Sequence, residues 1–298
     1  MSETIANIYN TLYARPTVRL EGYAARHGLS GELLAYLNYG GPTGSAKDAL
    51  AEGMLALALE RGQLSPGQPL IEASSGTFAV ALAIAAAHSG HPLTLVMPAT
   101  VMPDRQRQLA ELGARIELTN YVYGRAGTVR RAQQLAEEVD GYFVNYFSND
   151  DNPEFHRRVT GPAILRATGG ELTAVVAGVG SGGTITGVGE YMKAWAGNVW
   201  TVAVQPFESQ SLTGGFSGRH QINGIGPGFV PDNYNPYIVD EVISVTSGDA
   251  AQAAREVLMT DAVPASASCG AVLCAARELQ KRKAGRVLCI FNGMQLYE

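Results

Sequence analysis

Short apolar runs alternate with longer stretches of helical period along most of this 298-residue chain, and no other feature restricts its fold so much. Runs that suit buried strands lie at 93–97, 116–119, 142–145, 174–179, 200–205, 242–245 and 287–291. The stretch 47–61 places Leu50, Met54, Leu57 and Ala58 on one face, as an amphipathic helix does. The stretch 77–88 is apolar almost all round, which predicts a helix buried on more than one side. Further helices are expected at 103–112, 128–139, 154–167, 184–195, 249–259 and 270–281. Strand and helix in alternation are the signature of βαβ units around a mostly parallel sheet, so the fold class is α/β. One segment breaks the pattern. Residues 206–235 are rich in Gly, Ser, Pro and Asn with little period, and such a segment inside an α/β protein is generally functional or mobile.

Composition removes several classes of function. With 46% hydrophobic and 16% charged residues and a net charge of -5, the chain is no disordered polymer. It carries no basic face or stripe for a nucleic acid. The longest apolar runs, such as 79–87, are too short to cross a bilayer, and residues 1–10 do not read as a signal peptide. Cys269, Cys274 and Cys289 are odd in number and crowded together, so they read as buried thiols of a cytoplasmic protein. Neither they nor the five histidines show the spacing of a metal site, and no metal is expected.

Four loops carry the candidate chemistry. In 174–189, AVVAGVGSGGTITGVG, a strand runs through Gly180, Ser181, Gly182, Gly183 and Thr184 into a helix. Glycines there let successive N–H groups and a helix N-terminus face one point, which holds a phosphate. Gly178, Gly180 and Gly183 also satisfy G-x-G-x-x-G, the dinucleotide fingerprint, but a nicotinamide site wants an acid at the end of the next strand. The sequence there reads Ala203-Val204-Gln205-Pro206, with no acid. The bland alternative is a turn that only lets strand and helix pack.

The second loop, 40–48, reads GGPTGSAKD and opens a helix. A nucleotide P-loop needs its lysine directly after the last glycine, whereas Ser45 and Ala46 intervene before Lys47. Lys47 falls in the first turn of a largely apolar helix, where the helix dipole and desolvation both disfavour an ammonium. That is what a lysine needs to form a Schiff base. The other reading is a surface lysine with a buried stem. Competition is thin, because the chain has only three more lysines, Lys193, Lys281 and Lys283, all at solvated helix positions. The third loop, 72–83, sets Ser74, Ser75 and Thr77 ahead of the apolar helix, where hydroxyls and helical N–H groups can receive a carboxylate. The fourth, Ser266-Ala267-Ser268-Cys269-Gly270, is read by default as a helix cap.

Taken in order, these loops resemble the cysteine synthase (O-acetylserine sulfhydrylase) and cystathionine β-synthase-like family of fold-type II pyridoxal-phosphate enzymes. Arg15-Pro16-Thr17-Val18-Arg19-Leu20 is similar to T-P-L-V-R-L, and Gly41-Pro42-Thr43-Gly44-Ser45-Ala46-Lys47-Asp48 to N-P-G-G-S-V-K-D. Met97-Pro98 through Leu118-Thr119 resembles the M-P-E-T to L-T region. Asn152-Pro153, His156 and Thr160-Gly161-Pro162 resemble N-P-x-x-H-x-x-T-T-G-P. Residues 177–184 resemble the A-G-V-G-T-G-G-T phosphate cup, and Asn223-Gly224-Ile225-Gly226-Pro227-Gly228-Phe229 the mobile G-I-G-A-G-F loop.

The resemblance implies a tryptophan synthase β-like fold of two three-layer α/β domains with the active site in the cleft between them. Residues 39–147 would form a smaller, mobile domain carrying Lys47 and the substrate loop, and residues 1–38 with 148–298 the larger one. It implies pyridoxal 5'-phosphate as cofactor, Lys47 as the residue that holds it and acts as general base, and Thr77, Gly180, Ser181, Gly182, Gly183, Thr184 and Ser268 as further cofactor contacts. Ser268 would meet the pyridine nitrogen, a neutral partner that favours loss of a β-substituent. Ser74, Ser75, Gly76, Thr77, Phe78, Tyr146 and Gly224 would line the substrate site. The implied activity is β-replacement or β-elimination on a β-substituted L-serine or cysteine-type amino acid through an aminoacrylate. A cytoplasmic homodimer with no appended regulatory domain is implied too.

Three departures stand out. The family's T-S-G-N-T-G loop here reads Ser74-Ser75-Gly76-Thr77-Phe78-Ala79, so a cofactor-facing asparagine is Thr77 and a carboxylate-binding threonine is Phe78. The glutamine that also meets the carboxylate aligns with Tyr146. The family's late S-G-E-R-Y is only loosely echoed by Gly293-Met294-Gln295-Leu296-Tyr297. Two readings follow: an enzyme with a substrate other than O-acetylserine, or a paralogue that keeps the cofactor with little turnover and acts as a binding or regulatory subunit. A nicotinamide-dependent oxidoreductase is the third class, resting on G-x-G-x-x-G alone.

Overall fold

In a computed structural model, which describes residues 15–294, the elements follow one another as β1 (Thr17–Arg19), α1 (Glu21–Arg26), β2 (Leu33–Leu37), α2 (Lys47–Glu60), β3 (Leu70–Glu72), α3 (Thr77–Ser89), β4 (Leu93–Pro98), α4 (Pro103–Glu111), β5 (Arg115–Thr119), α5 (Gly124–Glu138) and β6 (Tyr142–Phe143). Then come α6 (Asp151–Phe155), a π-helical turn at His156–Thr160, α7 (Gly161–Thr168), β7 (Ala174–Gly178), α8 (Gly183–Trp195), β8 (Trp200–Pro206), β9 (Glu241–Val245), α9 (Ser247–Asp261), α10 (Ala267–Arg282) and β10 (Val287–Phe291). The chain divides into two compact units. One holds the described residues up to Ala46 and from Asn152 onward; the other is Lys47–Asp151.

The larger unit is built on a six-stranded sheet in the order β1-β2-β10-β7-β8-β9, parallel except where β1 meets β2. Its central strands are apolar at nearly every position, as strands covered on both faces must be. Tyr23 of α1, Ala250 and Val257 of α9 and Ala271 and Leu279 of α10 pack with Val176, Val204 and Cys289. Ile164 of α7 and Ile185, Val188 and Met192 of α8 pack with Val175, Ala177 and Leu288. The smaller unit has a four-stranded parallel sheet, β5-β4-β3-β6. Ala132 and Leu135 of α5 cover Ile71 and Val96. Helix α3 is buried at eight positions around its circumference, and α2, α4 and β4 pack against it.

The periodic segments lie where the sequence places them, within a few residues at their ends. Absent from the expectation are β1, β3 and α1, too short to display a period, and β2, whose five-residue LLAYL run is apolar throughout. The single helix expected at 154–167 is instead interrupted by the π-helical turn, a feature that frequently marks a functional position. Segment 206–235 is irregular save for Pro206, which closes β8, and one 3-10 turn at Ser211–Thr213. Cys269, Cys274 and Cys289 are buried free thiols. No helix among the described residues is long and apolar enough to cross a membrane.

Candidate active site

In the larger unit the glycine loop turns at the carboxyl end of β7, where ligands of open α/β sheets bind. Gly182 caps α8 in the left-handed region at φ +87, and no side chain caps the helix. The N–H groups of the first turn of α8 are therefore left to a ligand. Close packing behind the loop explains its glycines. A Cβ on Gly180 would strike the Gly224 carbonyl, one on Gly182 the Tyr234 backbone, and one on Gly183 the Asn152 side chain. Asn152 cannot yield easily, since it is fully buried and its Nδ2 donates to Ser181 Oγ at 2.9 Å.

Thr184 receives support from two directions. His156, brought over by the π-helical turn, lies with Nε2 3.1 Å from Thr184 Oγ1 and Nδ1 2.8 Å from Thr160 Oγ1. Asn292, directly after β10, donates from Nδ2 to Thr184 Oγ1 at 3.4 Å and accepts from Asn38 Nδ2 at 2.8 Å. The Asn292 carbonyl accepts the Ala46 N–H at 2.9 Å, and the Gly44 carbonyl accepts the Met294 N–H at 3.0 Å. The residue after Ala46 is Lys47. The loop that delivers the lysine is thus tied, through one asparagine, to the glycine cup. Ser268, in the first turn of α10, sits with its hydroxyl 2.9 Å from Ser266 Oγ, and the Ser266 N–H donates to the Gly293 carbonyl at 3.0 Å. Gly224 is exposed at φ +92 beside Gly180. Of the five residues matched to the family's late motif, Gly293 and Met294 lie here, while Gln295, Leu296 and Tyr297 lie outside the described residues.

In the smaller unit, Lys47 is half-buried as the first residue of α2. Ser74, Ser75 and Thr77 are half-buried around an exposed Gly76, and a Cβ added to Gly76 would meet nothing. Gly76 is the N-cap of α3 and makes no side-chain cap bond, so a second helix N-terminus is open to an anion. Phe78 and Tyr146, 3% and 7% exposed, stack on each other with ring centroids 3.9 Å apart and planes 18° apart. The two altered positions are therefore a single packing unit.

Beneath them is Glu72, the last residue of β3, with 2% of its surface exposed. Burial pushes its carboxyl up to about 7, and N–H groups of Tyr146, Ala73 and Asn145, together with the charge of Arg125, restrain the shift. Asn145 adopts φ +50, a left-handed conformation that asparagine tolerates, and the next N–H, that of Tyr146, donates to Glu72 Oε2 at 3.2 Å. The carboxyl so fixes the backbone of the stack to the start of the Ser74–Thr77 loop. Sequence reasoning missed Glu72 and Asn292. An acid closing an apolar strand before a hydroxyl-rich turn was a readable signal for the first; a lone asparagine after a strand gave none for the second.

The family described as "Pyridoxal-phosphate dependent enzyme" matches residues 8–293. The chain belongs to this family. This pyridoxal-phosphate enzyme is 37% identical to cysteine synthase A of Escherichia coli (strain K12) over 291 residues, spanning 94% of this chain and 88% of that protein. Its fold superposes on the crystal structure of O-acetylserine sulfhydrylase isoform 3 from Entamoeba histolytica with a TM-score of 0.90, at 32% identity and with 98% of this chain and 89% of that one covered. O-ureido-L-serine synthase is similar as well, at a TM-score of 0.89 and 28% identity over 98% of this chain and 92% of that one. Its fold is the fold-type II, tryptophan synthase β-like arrangement. The cofactor is pyridoxal 5'-phosphate. The open α8 N-terminus, with no acidic residue in its first turn, fits the phosphate of that cofactor. Gln205, where a nicotinamide enzyme would carry its ribose-binding acid, instead donates to Thr213 Oγ1 at 2.9 Å and accepts from the Leu212 N–H at 3.0 Å. It is a structural amide.

Proposed function

We propose that this enzyme carries out β-replacement on a β-substituted L-serine or cysteine-type amino acid. Resemblance to cysteine synthase A and to O-acetylserine sulfhydrylase supports the reaction class. The observation that carries it onto this chain's own residues is the Asn292 relay, which joins Thr184 of the cup to the backbone immediately before Lys47. When bound, pyridoxal phosphate supplies a sink for the electrons of the α-carbanion. The N–H groups of Gly180, Ser181, Gly182, Gly183 and Thr184 would hold its phosphate, Ser268 would meet its ring nitrogen and Thr77 its ring oxygen. Lys47 would hold its carbonyl carbon and would take the substrate's α proton on Nζ.

The amino acid's carboxylate is received at the N-terminus of α3 by the hydroxyls of Ser74, Ser75 and Thr77 and by the N–H groups that Gly76 leaves open. Phe78 and Tyr146 fix the shape of that loop, and the Phe78 side chain offers no hydrogen bond where the family places a threonine. The same reading makes the protein a cytoplasmic homodimer; three buried thiols without a disulfide suit a reducing compartment.

The decisive experiment is an absorption screen. Purified protein reconstituted with pyridoxal phosphate is mixed in turn with O-acetyl-L-serine, O-phospho-L-serine, L-serine and L-cysteine. At least one of them shifts the visible band and yields a product with sulfide. Spectra unmoved by all four would favour the alternative, a cofactor-binding paralogue with little turnover.

A further inference from the structure

We propose that Ser266 is a positioning residue that takes the hydroxyl proton of Ser268, so that Ser268 offers an oxygen lone pair to the cofactor's ring nitrogen and favours its protonated form. This deepens the reading above and rests on its placement of Ser268 at that nitrogen. A hydroxyl can meet a pyridine nitrogen as donor or as acceptor. The first choice suits a bare nitrogen and the second a protonated one, which makes the ring the stronger electron sink. The partners of Ser268 decide between them.

Ser266 occupies the N-cap position of α10, where a serine side chain ordinarily accepts an N–H from the first turn. It makes no such bond. Its hydroxyl lies instead 2.9 Å from Ser268 Oγ and donates to Cys269 Sγ at 3.4 Å. The Cys269 thiol donates in turn to the Gly293 carbonyl at 3.1 Å, and a carbonyl oxygen only accepts. Counting protons sets the direction of the whole row. Cys269 spends its proton on Gly293 and Ser266 spends its own on the sulfur, so at the contact between the two serines Ser268 is the donor. The thiol keeps its proton, because burial pushes it up against hydrogen bonds that pull it down. Burial also pushes up the phenol of Tyr39, which packs in the same core as Cys269, so neither titratable group brings a charge to the row. The row is anchored beside the cup. The Ser266 N–H and the Cys269 thiol share the Gly293 carbonyl, and the residue before Gly293 is Asn292, which holds Thr184.

The test follows the ring nitrogen itself. Holoenzyme reconstituted with pyridoxal phosphate isotope-labelled at that atom is titrated with pH and read by nitrogen NMR, in which protonation moves the resonance upfield. The wild-type midpoint is expected about one pH unit above that of Ser266→Ala, the worth of one hydrogen bond. Ser266→Thr keeps the oxygen and should return most of the difference. Cys269→Ala strips Ser266 of its acceptor, lets it donate to Ser268 and should lower the midpoint as well. A capping or packing role would lower the melting temperature of these variants and leave the midpoint alone. Ser268→Ala, which removes the acceptor itself, should also lower the midpoint. A midpoint unmoved or raised in Ser266→Ala or Cys269→Ala, with that of Ser268→Ala shifted, would overturn the proposal and leave the placement of Ser268 standing. A wild-type nitrogen that stays bare at every pH at which the holoenzyme is folded would overturn it too. Ser268→Ala without effect would show that Ser268 does not meet the nitrogen, and the placement and this inference would fall together.

Discussion

The glycine cup and the substrate loop are both turns from a parallel strand into a helix N-terminus, yet one keeps the family's sequence and the other has left it. The difference lies in what each is made of. The cup is backbone, and its glycines are held by collisions that any side chain would cause with Gly224, Tyr234 and Asn152. At the cup a substitution costs the whole arrangement. The proposed substrate loop presents side chains around a Gly76 that has open space beside it, and the positions proposed to set its specificity are an aromatic pair that packs as one body. There a change can be absorbed if the partner changes with it. On the proposed assignment, cofactor binding is rigidly encoded, while substrate choice can drift.

The strongest way to break that contrast is Lys47→Ala. Turnover should fall by about 10²–10⁴-fold, the scale of a lost general base. The visible absorption of the lysine-bound cofactor should vanish with it, while equilibrium dialysis still finds cofactor held by the cup. Retained absorption would mean that another residue carries the cofactor. Complete loss of retention would mean that the backbone cup does not suffice alone.

Glu72→Gln addresses the smaller unit. Its carboxyl stands at about 7 in the folded chain against an ordinary 4.5. A raised carboxyl stabilises the fold fully below 4.5, and that contribution is lost as pH climbs through 7, up to about 3 kcal/mol in all. The advantage of wild type over Glu72→Gln in thermal unfolding should therefore shrink between pH 5 and pH 8. An advantage that grew over that range would show that the carboxyl is charged and favourably paired.

Gly183→Ala tests the larger unit. The new methyl must displace Asn152 and break its bond to Ser181, an overpacking cost of about 1–3 kcal/mol. Cofactor affinity, read by fluorescence titration, should drop along with the melting temperature. Unchanged affinity would deny the cup its close packing.

The same contrast governs how far the sequence could be read. Gly180, Gly182 and Gly183 announce themselves because backbone demands leave glycine in the sequence, and the loop's departure at Thr77 and Phe78 shows against a known frame. Lys47 stands out because only four lysines exist to choose from. Glu72 acts through Tyr146, 74 positions away, and Asn292 through Thr184, 108 away. Such pairings are products of the fold and leave no local pattern. The three-residue strands escaped for a related reason, since a period needs several residues to appear.

The finest test concerns the aromatic pair itself. If Phe78 and Tyr146 changed together because they pack together, their contributions to stability cannot be independent. A double-mutant cycle with Phe78→Leu, Tyr146→Leu and the double variant, followed by urea unfolding of the holoenzyme, isolates the term. The stacking geometry predicts a coupling of about 0.5–1.5 kcal/mol beyond the area each ring buries. Leucine keeps both positions apolar, so the coupling reports ring-on-ring contact and not simple loss of volume. Strict additivity would mean that the two positions drifted separately, and the notion of one substrate wall replaced as a unit would fall. A coupling in the expected range would instead make any redesign of this site, toward O-acetylserine or away from it, a change of two residues at once.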